Sequence, residues 1–223
     1  MNDFKLEDTP PESMAKTPPP PHGTLELSCE DCMALMRRYP DKHFDLAIVD
    51  PPYGIGMDGK NNWSGSKHEK KDWDNAPPPM EYFRELFRVS KNQIIWGGNY
   101  FPLAPTSCWV VWDKINDGFS FADAELAWTS FETAVRTFRY ARGSDRDTRI
   151  HPTQKPVALY RWLLERYAKH GQAVLDTHLG FGSHAIACHY AGMHLTACEI
   201  DADYFAAAQE RIARETMQTT FQF

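Results

Sequence analysis

The sequence lacks any apolar run of about 18 residues, the length that a membrane-spanning helix needs. Its first residues, 1–8, carry charges where a secretion signal would carry an apolar stretch. Its cysteines are few and odd in number, five in all, so they do not indicate a disulfide framework. These absences predict a soluble, cytoplasmic protein with no membrane partner.

A surplus of basic charge is also missing. Lys and Arg number 24 against 30 Asp and Glu, which gives a net charge of −6. Binding to a polyanion over the whole surface is therefore not expected, and any contact with nucleic acid needs a local basic patch. Cys29 and Cys32 form a lone CxxC, and His184 and Cys188 lie one helical turn apart without further ligands, so no metal site is predicted.

The chain is long enough for one full-sized domain. Six prolines between residues 9 and 22 indicate an extended tail over 1–22, followed by a single domain over 23–223. From residue 24 onward, predicted strands alternate with predicted helices, which is typical of a mostly parallel sheet covered on both faces. The strands are expected over 24–28, 44–49, 93–96, 108–112, 173–176 and 195–200, and the helices over 31–38, 80–89, 157–170, 183–191 and 203–215.

In such a sheet, ligands bind in the loops that follow the strands. The first informative loop is Asp50-Pro51-Pro52-Tyr53-Gly54. An exocyclic amine is a poor nucleophile, and two hydrogen-bond acceptors, the Asp50 carboxylate and the Pro51 carbonyl, could hold it toward an electrophilic methyl group. The prolines fix the backbone, and Tyr53 could stack on a base. A Pro-Pro turn capped by Asp50 is the simpler interpretation.

The second loop is Asp176 to Ser183, between a strand and a helix. Gly180-x-Gly182 lets the backbone approach a nucleotide closely, and Glu199, at the end of the next strand, could accept from both ribose hydroxyls. This spacing also fits a nicotinamide cofactor or a structural turn.

Together these motifs resemble the amino-methyltransferases of DNA, in the order of the β class. Asp50-Pro51-Pro52-Tyr53 resembles the family's catalytic motif, 151–156 (HPTQKP) the segment before its cofactor loop, and 176–183 that loop itself. The resemblance covers nearly all of residues 24–215. The catalytic half precedes the cofactor half, so the motif order is circularly permuted.

The resemblance implies a Rossmann-like methyltransferase fold, with a seven-stranded, mostly parallel sheet and one reversed strand. It implies direct methyl transfer from S-adenosylmethionine, with Asp50, Pro51, Pro52 and Tyr53 at the catalytic site. The residues expected to bind the cofactor are Thr153, Lys155, Asp176, Leu179, Gly180, Gly182, Ser183 and Glu199. Thr153 and Lys155 are expected at its methionyl end. The cofactor loop departs from the family pattern at Thr177, His178 and Phe181.

The motif DPPY is typical of adenine-N6 enzymes, since N4-cytosine enzymes usually begin the motif with serine. The expected setting is restriction–modification or a phage, in a bacterial cell or an infected host. The alternatives are N4-cytosine methylation, methylation of RNA or protein, a nicotinamide-dependent oxidoreductase, and a catalytically silent DNA-binding protein. A homodimer is left open.

Little chain remains for target recognition. DNA contacts are predicted in two small insertions, at about 57–76 and 136–150, through the basic residues Lys67, Lys70, Lys71, Arg136, Arg139 and Arg142. A solvated surface is the simpler interpretation of both. A recognition element of this size predicts a short or relaxed target sequence.

Overall fold

The computed structural model describes residues 23–56, 74, 76–115, 122–141 and 154–217. The proline-rich tail over 1–22 lies outside these residues. The strands are β1 Leu25–Cys29, β2 Phe44–Val49, β3 Ser90–Trp96, β4 Val110–Asp113, β5 Ala124–Thr129, β6 Arg136–Arg139, β7 Ala173–Asp176 and β8 His194–Glu199. The helices are α1 Cys32–Arg37, α2 Met80–Val89, α3 Val157–Tyr167, α4 Ser183–Ala191 and α5 Ala202–Met217.

One sheet contains all the described strands, in the order β1-β8-β7-β2-β3-β5-β4-β6. Only β5 runs against its neighbours, pairing antiparallel with both β3 and β4. The predicted mostly parallel sheet with one reversed strand is confirmed, but the predicted count of seven strands is wrong. The described residues form eight, because the mostly exposed segment Arg136–Arg139 adds an edge strand parallel to β4.

Two apolar layers cover the sheet. Successive residues of β2 point to opposite faces, with Leu46 and Ile48 in one core and Ala47 and Val49 in the other. The first core packs against α3, α4 and α5, and the second packs against α1 and α2. Every parallel strand in the centre is therefore buried on both faces, as the alternation of strands and helices predicts.

The central pairing of β2 with β7 determines where the site lies. These strands are parallel neighbours, with Leu46 opposite Val174 and Ala47 opposite Leu175. The loops after β2 and β7 consequently leave the sheet at the same carboxyl edge, although about half of the chain separates them in sequence. None of the helices described is long and apolar enough to cross a membrane.

Candidate functional site

The loop after β2, residues 50–54, is called here the Asp50 loop. Tyr53 donates a hydrogen bond from its hydroxyl to Asp50 Oδ1 at 2.7 Å, and Lys155 Nζ lies 2.5 Å from Asp50 Oδ2. Burial, with the Asp50 charge next in size, raises the pKa of Tyr53 well above its usual value. Tyr53 thus stays protonated and donates to the carboxylate.

Neighbouring residues from other parts of the chain fix the shape of the Asp50 loop. The backbone N–H of Gly54, a residue with φ +73°, donates to the buried carboxylate of Asp74 at 2.8 Å. The ring of Tyr53 stacks on Tyr100, with centroids 5.2 Å apart. A Cβ atom at Gly97 would lie 2.2 Å from the same ring, so only glycine fits there. The turn after β3 therefore borders the Asp50 loop.

Lys155 joins the Asp50 loop to the reversed strand. Its ammonium group is within 3.1 Å of Glu125 Oε2 on β5, in addition to its contact with Asp50. Its side chain is only 4% exposed and lies over the rings of Trp96 and Tyr53. Burial disfavours the charged form, but Asp50 and Glu125 outweigh this effect and raise the pKa of Lys155.

Glu125 is held by two lysines. Its Oε1 atom lies 2.6 Å from Nζ of the buried Lys114, while its Oε2 atom faces Lys155. Burial works to raise the pKa of Glu125, but the charges of Lys155 and Lys114 prevail and lower it to about 2. Glu125 is therefore a carboxylate at all physiological pH values.

The segment from the last residue of β7 to the first residue of α4, residues 176–183, is called here the glycine loop. Asp176 is buried, and its carboxylate accepts from the backbone N–H of His178 at 3.0 Å and contacts His184 Nδ1 at 2.9 Å. Burial opposes the charge on His184, but Cys188 and the bond to Asp176 outweigh burial and raise its pKa to about 10. Within the described residues, His184 Nε2 is buried without a hydrogen-bond partner.

Glu199, at the end of β8, closes the other side of the glycine loop. Its two carboxylate oxygens accept from the backbone N–H groups of Gly180 and Asp201, each at 3.0 Å. Burial raises the pKa of Glu199. Gly180 has φ +53°, and the space that its Cβ would fill is open, with no atom nearer than His178 O at 4.0 Å. The backbone of the loop at Gly180 is therefore accessible from one side.

The end of the glycine loop is anchored to α5. Gly182, with φ +78°, packs so closely on Ile212 that a Cβ atom would lie 2.7 Å away. Arg211 is buried, and one of its guanidinium nitrogens donates to Phe181 O and to Ser183 Oγ, both at 2.9 Å. The predicted cofactor residue Ser183 therefore accepts a hydrogen bond from Arg211. Leu179, also predicted at the cofactor, packs in the first core.

Two rings, those of Tyr160 and His178, lie near both the Asp50 loop and the glycine loop. Burial is the main cause that raises the pKa of Tyr160, and the charges of Asp50 and Asp176 add to it. Burial likewise lowers the pKa of His178, against the opposing charges of the same two carboxylates. The charges of Asp50, in the Asp50 loop, and of Asp176, in the glycine loop, therefore both act on each of these two rings.

Several predicted site residues have other neighbours than expected, or lie outside the described residues. Lys155, expected at the methionyl end of the cofactor, contacts Asp50 and Glu125. Arg136 and Arg139 form the exposed edge strand β6, and Arg139 pairs with Asp113 at 2.8 Å. Five predicted site residues lie outside the residues that the structure describes: Lys67, Lys70, Lys71, Arg142 and Thr153.

The structure adds residues that the motifs did not indicate. Glu125 contacts Lys114 and Lys155, and Asp74 accepts a hydrogen bond from Gly54 N–H. Tyr100 stacks on the ring of Tyr53. The segment 96–100 (WGGNY) did indicate a contact, because two glycines after a strand often mark a close approach of the backbone. No sequence pattern indicated Glu125, since it is one acidic residue in a short strand.

Known proteins match this chain in sequence and in fold. Residues 93–210, more than half of the chain, match the family model described as DNA methylase, of the N6/N4 type. The type II methyltransferase M.HpaI of Haemophilus parainfluenzae is 21% identical over 241 residues, covering 85% of this chain and 74% of the relative.

Two solved structures share the fold. M1.HpyAVI in complex with SAM aligns with a TM-score of 0.58 and 16% identity, over 85% of this chain and 99% of that chain. The cytosine-N4-specific PvuII DNA methyltransferase aligns with a TM-score of 0.56 and 11% identity, over 91% and 93%. The architecture is therefore the Rossmann-like fold of these methyltransferases.

Proposed function

The chain belongs to the DNA methylase family, and on that premise we propose that it transfers a methyl group from S-adenosylmethionine directly to adenine N6 of a flipped base in DNA. The main observation in support of this proposal is the position of the Asp50 carboxylate. It stands after β2, beside the glycine loop after β7, with Tyr160 and His178 near both. An acceptor for an amine and a cradle for a nucleotide thus share one edge of the sheet.

The residues of the glycine loop fit an adenosyl cofactor. The open space beside Gly180 admits a ligand close to the backbone, and each oxygen of Glu199 keeps a second lone pair for a ribose hydroxyl. We place Asp176, Leu179, Gly180, Gly182, Ser183 and Glu199 around the cofactor, with Thr153 and Lys155 at its methionyl end. When bound, S-adenosylmethionine supplies an electrophilic methyl group.

The Asp50 loop would orient the amine. The Asp50 carboxylate and the Pro51 carbonyl accept the two N–H groups, which favours the pyramidal, nucleophilic nitrogen. The rings of Pro51 and Pro52 restrict the backbone that presents these acceptors. Tyr100 covers one face of the Tyr53 ring, so a base that stacks on Tyr53 would lie against the other face, which Lys155 Nζ approaches to 5.8 Å from the ring centroid.

N4-methylation of cytosine is the second candidate. The DPPY sequence favours adenine, whereas the likeness to the cytosine-N4-specific PvuII enzyme favours cytosine. Both amines are exocyclic and conjugated with a ring, so the same two acceptors serve either base. A nicotinamide-dependent oxidoreductase loses its support, because it accounts neither for the family match nor for the Asp50 loop.

We propose that the DNA backbone is contacted by Arg136 and Arg139 on β6, together with Lys67, Lys70, Lys71 and Arg142. The exposure of the two β6 arginines at a sheet edge supports this assignment. A single domain over 23–223 would read the target through the segment at about 57–76 and through the segment at about 136–150, which begins with the edge strand β6, and segments of this size favour a short or relaxed sequence.

Labelled S-adenosylmethionine tests the proposal in parallel reactions with duplex DNA, RNA and protein. After digestion of the DNA, mass spectrometry of the nucleosides should show N6-methyladenine. Asp50→Ala should lower the methylation rate at least about 100-fold, because the amine loses an acceptor, while DNA and cofactor affinities are retained. Modified-base sequencing of DNA from expressing cells would then give the target sequence.

The matched control is Asp41→Ala, which removes an exposed carboxylate near α2 and should leave the rate unchanged. A product that contains only N4-methylcytosine would show that the target base is cytosine, which is the second candidate. Methyl groups found only in RNA or protein would reject DNA as the substrate, and full activity of Asp50→Ala would reject the role of the loop.

A further inference from the structure

The carboxylate that should receive the amine is already occupied. Tyr53 donates to Asp50 Oδ1, and the Lys155 ammonium lies 2.5 Å from Asp50 Oδ2. An incoming amine must therefore share the Asp50 carboxylate with a buried cation that lies at one of its two oxygens. Expelling that ammonium toward an apolar interior would leave an unpaired charge, which is very costly.

Glu125 offers the ammonium a second carboxylate within reach. Lys155 Nζ is 3.1 Å from Glu125 Oε2 in the same arrangement that brings it to Asp50. An ammonium has three donors, so Lys155 can strengthen one contact while it loosens the other without leaving its buried position. The sequence of charges is Lys114, Glu125, Lys155 and Asp50, at separations of 2.6, 3.1 and 2.5 Å.

The position of Glu125 suits this exchange. It lies on β5, the reversed strand, whereas Asp50 follows β2, so the two carboxylates approach Lys155 from different parts of the sheet. Lys114 compensates the charge of Glu125 from the side away from Lys155. Two cations and two carboxylates leave the four groups neutral as a set.

We propose that Glu125 is a positioning residue of the methyl-transfer site, which takes up the Lys155 ammonium as the target amine bonds to Asp50. The inference rests on the proposed function, because it requires Asp50 to accept the amine. Without Glu125, Asp50 is the one anionic partner left to Lys155 among the described residues, and the amine is held less often in the reactive orientation.

Single-turnover methylation at saturating DNA and cofactor tests the inference, using the full chain. Glu125→Gln should lower the rate at least about 10-fold, while the Kd for S-adenosylmethionine changes by less than about twofold. Glu125→Asp keeps a carboxylate on a shorter side chain and should recover part of the rate. A full rate for Glu125→Gln would overturn the proposal.

The double variant Glu125→Gln/Lys114→Met separates positioning from charge compensation. It restores neutrality among the four groups but still gives Lys155 no second carboxylate, so its rate should stay as low as that of Glu125→Gln. A rate restored to the wild-type value would show that Glu125 only balances charge, and would overturn the inference.

If Glu125→Gln does not fold, as judged by urea unfolding, the rate of the neutral double variant is used as the test instead. Absence of any methylation by the wild-type protein would instead reject the proposed function.

Discussion

At the scale of single residues, Glu199 combines a structural and a binding task. Its carboxylate holds the backbone of Gly180 and of Asp201, and it lies beside the open space of the glycine loop. Glu199→Gln should raise the Kd for S-adenosylmethionine about 10-fold to 100-fold, because an acceptor is lost from the ribose and from the loop. Isothermal titration calorimetry measures this Kd directly.

Glu210→Gln is the matched control for that substitution. Glu210 is exposed on α5, so the same chemical change should leave the Kd within about twofold. Equal affinities for wild type and Glu199→Gln would contradict the assigned role of Glu199.

The sequence predicted the residues of the Asp50 loop and of the glycine loop, because each set is contiguous and follows an apolar strand. It did not predict the neighbours of Lys155. A lysine side chain is long and flexible, and the carboxylates that it contacts, Asp50 and Glu125, come from distant parts of the chain. Only the packing of β5 near β2 brings them together.

At the scale of elements, α5 supports the glycine loop through Arg211. The buried guanidinium bonds to Phe181 O, to Ser183 Oγ and to Glu215 at 2.8 Å. Arg211→Met should lower the free energy of unfolding by about 2–4 kcal/mol, because it leaves buried acceptors without donors. Urea unfolding followed by circular dichroism measures this loss.

Arg214→Met provides the comparison on the same helix. Its side chain is 58% exposed, so its removal should change the free energy of unfolding by less than about 0.5 kcal/mol. If the two variants unfolded at the same urea concentration, Arg211 would not be the anchor of the loop.

Elements with strong apolar patterns were predicted with their bounds. The strand Phe44–Val49 and the helices Met80–Val89 and Ser183–Ala191 agree with the sequence expectation. The strands β5 and β6 were not predicted. β6 is a mostly exposed edge strand without an apolar alternation, and its pairing with β4 rather than its own residues makes it a strand.

At the scale of the whole molecule, a net charge of −6 means that DNA affinity depends on a local basic surface. Arg136→Ala on β6 should weaken DNA binding equally for all sequences and reduce the slope of log Kd against log salt by about 1. Fluorescence anisotropy with a labelled duplex at several salt concentrations gives this slope.

Arg214→Ala is the control at the other end of the sheet, since α5 packs on β1 and β8 and lies far from β6 in the strand order. It removes the same charge and should leave the slope unchanged. Equal slopes for wild type and Arg136→Ala would show that DNA does not cross the β6 edge.

The sequence by itself determined the alternation of strands and helices and the two loops, because these depend on local apolar periodicity and on backbone restrictions of proline and glycine. The tertiary structure decided which distant residues meet. The parallel pairing of β2 with β7 brings both loops to one edge, and the reversed strand β5 brings Glu125 to Lys155. Contacts of this kind depend on strand order and side-chain packing, which no short segment of the chain encodes.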